Sequence, residues 1–150
     1  MNDTIGYTQK ATCRFTVSSW DEHLVSDIDG EGTTYGEAYY PRRGISRSEV
    51  EYAYAGDVEG TSQVAYLFGY RGGDDLVLGL ERFTGTIDGH EGSCVLQHTG
   101  SHDTSGVRAQ VRVVEGMGTG ELAGLRGGAE LVIAGHSEDG YELVLHYDLV

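Results

Sequence analysis

Glycine interrupts this chain too often for long helices and about as often as a meander of short strands requires. There are 24 glycines and one proline among 150 residues, and each glycine inside a helix costs roughly 1 kcal/mol relative to alanine. The stretches between them are rich in β-branched and aromatic residues, which fit a pleated strand. Eight segments read as strands: 11–17, 45–56, 61–70, 76–87, 93–100, 107–114, 128–135 and 141–149. The turn signals Gly56 to Gly60, Arg71 to Asp75, Asp88-Gly89 and Asp139-Gly140 are short enough for antiparallel hairpins. Residues 21–44, with Tyr35, Tyr39, Tyr40 and Pro41, read instead as a long rim or lid loop. Residues 1–10 are expected to be flexible, and the whole chain suits a single domain.

Successive strand side chains point to opposite faces, so alternation separates inside from outside. Val107, Ala109, Val111 and Val113 share one face against Arg108, Gln110 and Arg112, and Tyr141, Leu143, Leu145, Tyr147 and Leu149 oppose Glu142, His146 and Asp148. Eight antiparallel strands with one apolar face each are best satisfied by closing into a barrel, which leaves no unpaired edge. The expected fold is therefore all-β, an eight-stranded antiparallel barrel, wide enough inside for side chains or one small ligand.

Two polar residues fall on inward faces. Cys94, Leu96 and His98 point in on one strand; Glu81 and Phe83 point in on its neighbour, which sends Leu76, Leu78 and Leu80 outward, beneath another segment or into an oligomer interface. A turn at Asp88-Gly89 pairs Glu81 with Leu96 and sets His98 diagonal to it, whereas a turn at Gly89-His90 pairs Glu81 with His98 directly. A three- or five-residue loop would separate them. Glu81 and His98 are candidate acid-base residues, with Tyr66 as a third; the alternative is a buried carboxylate satisfied by an imidazole, fixing register without chemistry. Tyr52, Tyr54, Phe68, Phe83 and Leu96 are candidate ligand-contacting walls, joined by Trp20, Tyr39 and Tyr40 at the rim.

Composition excludes several partners. With 24 acidic against 10 basic residues the formal net charge is −14, which repels nucleic-acid phosphates and anionic membranes. The amino terminus lacks a signal peptide and no apolar run suits a membrane span, so a cytoplasmic protein is expected. Cys13 and Cys94 show no metal or disulfide pattern and read as buried thiols. The histidines His23, His90, His98, His102, His136 and His146 show no recognised metal spacing. Residues 111–124, VRVVEGMGTGELAG, contain G-x-G-x-x-A after a strand, but Gly124, Gly127 and Gly128 would break the helix a dinucleotide site requires. No cofactor or metal is expected.

FTVSSWDE (15–22), GDVEG (56–60), GLERFTGT (79–86), SCVLQHTG (93–100) and GTGELAGLRG (118–127) together resemble a bacterial family of uncharacterised proteins with an allene-oxide-cyclase-like barrel. The resemblance runs from about Thr12 to the carboxyl terminus and implies an eight-stranded antiparallel barrel. GTGELAGLRG is also similar to the glycine-rich turn of allene oxide cyclases and dirigent proteins, whose barrels guide ring closure or coupling without a redox cofactor. That turn is structural, so it carries over no catalytic residue; the chain departs from the family pattern around Thr33 to Arg47, with the tyrosine-rich GTTYGEAYYPRR. Three functions are expected in this order: a cofactor-independent cyclase or isomerase acting on a hydrophobic polyoxygenated small molecule, a non-catalytic binding or carrier barrel, and a module working through its outer surface.

Overall fold

A computed structural model describes residues 6–135 and 137–150, so Met1 to Ile5 and His136 lie outside the described residues. The strands are β1 (Gln9–Asp27), β2 (Gly32–Tyr35), β3 (Ala38–Pro41), β4 (Arg43–Gly56), β5 (Val58–Arg71), β6 (Asp75–Ile87), β7 (His90–Asp103), β8 (Gly106–Val113), β9 (Thr119–Gly120), β10 (Leu125–Ile133) and β11 (Tyr141–Leu149). No helix occurs among the described residues. The order β6-β5-β4-β1-β11-β10-β8-β7, closed by pairing of β6 with β7, makes an eight-stranded antiparallel barrel. All eight segments expected from alternation are barrel strands. Closure satisfies the ladder of every strand, which an open eight-stranded sheet could not do at its edges.

Two expectations need correction. Residues 21–44 are not a loop: β1 continues to Asp27 against β4, and β2 and β3 form a separate hairpin at the barrel rim. Nor is all of 1–10 loose, because Gln9 and Lys10 pair with Tyr147 and His146, while the Thr8 hydroxyl and backbone N–H donate to Asp148.

The long first strand escaped notice because it changes phase. Ala11, Cys13 and Phe15 face the core, but the register with β4 slips between Val17 and Ser19. A bulge inserts one extra residue, so the inward set moves from odd to even positions and Trp20 lies opposite Val50, Glu22 opposite Ser48.

The barrel has one packed end and one open end. At the packed end Cys13, Tyr54, Phe83, Ile87, Cys94, Leu96, Leu143 and Leu145 enclose a void of only about 20 Å³, no larger than a single water needs. The segment after β9 turns there and buries Leu122 completely. GTGELAGLRG thus stoppers the barrel, which explains its glycines: a Cβ on Gly118 would stand 2.2 Å from the Leu122 carbonyl oxygen. Outside, Leu76, Leu78 and Leu80 on β6 and Leu67 on β5 are all exposed, as the outward phase requires.

Candidate functional site

The open end contains a cavity of about 940 Å³, near the top of the range for small-molecule pockets. Phe15, Trp20, Tyr52, Tyr66, Phe68, Tyr70 and Tyr141 supply its aromatic wall; Val17, Val77, Leu131 and Ile133 add aliphatic surface, and Tyr35, Tyr40 and Pro41 of the rim hairpin stand at the mouth. Trp20 stacks on Phe68 at a centroid distance of 5.8 Å and on Tyr66 at 6.2 Å, yet remains 47 % exposed. One ring face is therefore packed, leaving the remainder to the cavity.

The floor is a pair of phenols. Tyr52 and Tyr66 share a hydrogen bond of 2.8 Å between their hydroxyls, and burial pushes both well above the ordinary tyrosine range, so both stay neutral. Gly79 makes room for this arrangement. It sits on the inward phase of β6, and a Cβ there would lie 2.5 Å from the Tyr66 ring.

Glu81 and His98 lie beyond that floor. The hairpin turns at Asp88-Gly89, whose φ angles of 48° and 81° are both positive as a type I′ turn requires. Glu81 therefore pairs with Leu96, and His98 is its diagonal neighbour. His98 Nε2 meets Glu81 Oε1 at 2.7 Å, and the Tyr54 hydroxyl donates to Oε2 at 2.5 Å. Glu81 is 0 % exposed and His98 4 %. Burial, with the Glu81 charge beside it, drives the Tyr54 phenol far above its usual range and keeps it a donor. The Tyr66 ring meets the His98 imidazole edge-on at 5.4 Å. Neither Glu81 nor His98 belongs to the cavity wall.

Glu22, Glu31 and Asp75 are the carboxylates that reach the cavity, and Glu22 is the one set among the aromatic wall. The Oε2 of Glu22 accepts from the Ser46 hydroxyl at 2.9 Å and the Tyr70 hydroxyl at 2.6 Å; its Oε1 accepts from the Trp20 indole N–H at 3.2 Å and more distantly from Ser48 at 3.4 Å. Burial and that carboxylate together push the Tyr70 phenol well upward, and burial followed by Glu22 does the same, less strongly, to Tyr40. At the mouth Asp75 faces His102 at 3.9 Å, and Arg42 is engaged by Asp29 and Glu31. No group of three His, Cys, Asp or Glu side chains able to hold a metal occurs among the described residues.

Residues 11–145 match the family described as "Protein of unknown function (DUF3224)". The chain belongs to the DUF3224 family. A comparison with curated proteins finds no match. Among solved structures, a DUF3224 protein of unknown function from Shewanella oneidensis MR-1 is 23 % identical, with a TM-score of 0.71 over 95 % of this chain and 98 % of that one. At that identity the likeness establishes the barrel and nothing about a ligand.

In this DUF3224 chain, the residues singled out from sequence divide between the two ends. Tyr52, Tyr66, Phe68, Trp20 and Tyr40 line the cavity. Tyr54, Phe83 and Leu96 do not; they pack the closed end, because the strands' stagger puts them below the floor. Tyr39 also misses the cavity: its neighbour Tyr40 takes the inward phase, and the Tyr39 hydroxyl donates to Asp27 at 2.5 Å. Glu22, Ser46 and Ser48 were missed. Ser46 and Ser48 share the inward phase with Val50, Tyr52 and Tyr54, and two serines pointing into an apolar interior are the signal that a polar partner faces them.

Proposed function

We propose that this protein is a small-molecule-binding barrel, its ligand entering through the open end and resting on the Tyr52 and Tyr66 floor. The observation that carries this reading is the cavity itself: about 940 Å³ left unfilled above a tightly packed half, when a barrel of this size can be filled by side chains alone. Rigid aromatic rings with a few hydroxyl tips suit a hydrophobic ligand bearing scattered polar groups. The neutral dye Nile red tests it. Its emission should rise saturably with one dye per chain, and Trp20→Arg should abolish the rise while leaving the far-ultraviolet spectrum intact. A linear, unsaturable response would remove the binding function.

A second reading is turnover, as a cofactor-independent cyclase or isomerase. The floor phenols favour it, since the Tyr52–Tyr66 hydrogen bond uses one O–H and leaves the other phenol free to donate to a bound ligand, where it can stabilise negative charge developing on a reacting oxygen. The likeness of GTGELAGLRG to allene oxide cyclases and dirigent proteins points the same way, although here that segment stoppers the far end. Under this reading Tyr66→Phe lowers turnover by roughly 10²- to 10⁴-fold, the worth of a positioned proton donor, while Nile red binding survives.

A further inference from the structure

Building on the proposed binding function, we propose that the natural ligand carries a quaternary ammonium or similarly N-alkylated cation, seated beside Glu22. The cavity combines two features that recognise such a group. First, aromatic rings cluster around the carboxylate: Trp20 donates to it, Phe68 stacks on Trp20, Tyr70 donates to it, and Tyr40 stands edge-on to Tyr70 at 6.4 Å. Ring faces attract cations through their quadrupole, and tryptophan does so best.

Second, Glu22 has little capacity left for an N–H donor. A carboxylate offers about four lone-pair sites, and two protein donors already approach each of its oxygens. Its charge remains, but another hydrogen bond would displace an existing one. A cation clad in methyl groups needs no acceptor; it needs negative potential and ring faces. The surrounding charge agrees, since among the described residues Glu22, Glu31 and Asp75 face the cavity against the fixed cation of Arg42 alone. An anionic headgroup would meet repulsion in the same place.

Three benzyl probes separate the possibilities: benzyltrimethylammonium, its equal-sized neutral carbon isostere neopentylbenzene, and the smaller primary cation benzylammonium. Trp20, the single tryptophan, reports each by its emission. The quaternary ion should bind about tenfold or more tightly than either comparator, consistent with a partly desolvated cation–π contact. Added salt should weaken the quaternary ion and leave neopentylbenzene unchanged. Glu22→Gln should erase the preference; if that variant fails to fold, the salt response of the parent protein decides. Equal or tighter binding of neopentylbenzene, or of benzylammonium, overturns the ligand class and leaves the binding barrel standing. Nile red binding with no response to any of the three also overturns the class alone, whereas failure of Nile red too removes the binding function beneath it.

Discussion

The same eight strands line both ends of this barrel, and they produce opposite interiors. Below Tyr52 and Tyr66 the inward positions hold Phe83, Ile87, Leu96, Leu143 and Leu145, and Leu122 seals the end; the void left is about 20 Å³. Above them the inward positions include Ser46 and Ser48, the β1 bulge shifts the phase of one wall, and the β2-β3 hairpin extends the rim, leaving about 940 Å³. The contrast puts close packing at one end and the cavity of the proposed binding function at the other. It also changes the meaning of Glu81 and His98, which sit on the stable side of the floor with Tyr54 as their third partner.

The comparison can be broken most forcefully at that trio. His98→Ala leaves the Glu81 carboxyl buried with only Tyr54, and removing one partner of a buried pair costs about 3–5 kcal/mol. Urea denaturation should show that loss, while any variant protein that remains folded binds Nile red as the parent does. A loss of binding with unchanged stability would move the pair to the binding end. Next in size is Gly79→Ala at the boundary, where the new methyl group meets the Tyr66 ring; overpacking of this kind costs about 1–3 kcal/mol. Because Trp20 stacks on Tyr66, its emission should shift as well, which a change confined to the packed end would not cause.

Alkaline pH sharpens the contrast from the packed end. Burial, with Glu81 adding to it, pushes the Cys13 and Cys94 thiols up to about 12 from an ordinary 9.0. Above pH 9 the unfolded chain surrenders thiol protons that the folded barrel keeps, so this contribution to stability is full below the unfolded value and falls as pH rises toward the folded one. Denaturation midpoints should decline over that window, less steeply in a Cys13→Ala, Cys94→Ala double variant, and neither thiol should react with a disulfide reagent until the barrel unfolds. The smallest effect belongs to the rim. Tyr40→Ala should weaken Nile red about three- to tenfold, the worth of one aromatic contact, and Tyr39→Phe should leave it unchanged.

Alternation revealed the strands and most of their inward faces, because a two-residue period survives wherever a strand is regular. The Glu81 and His98 encounter was legible for a local reason: Asp88-Gly89 favours a two-residue turn, and that turn determines the register. Their depth was not legible. Height along the barrel axis depends on the accumulated stagger of all eight strands, so nothing near Glu81 in sequence says that it lies under the floor. Glu22 was hidden by the bulge after Val17, which reverses the phase and made 21–44 resemble a loop. Tyr39 and Tyr40 could have been told apart by alternation once the segment was recognised as a strand.

The proposed division into a packed end and a binding end is tested most directly by mapping a bound probe onto the backbone. In a nitrogen-15 spectrum titrated with 1-naphthylmethanol, amide shifts should concentrate at Val17, Trp20, Tyr66, Phe68 and Ile133, with Ile87, Cys94 and Leu122 unmoved. Shifts centred on Ile87, Cys94 and Leu122, with the open end silent, would contradict it.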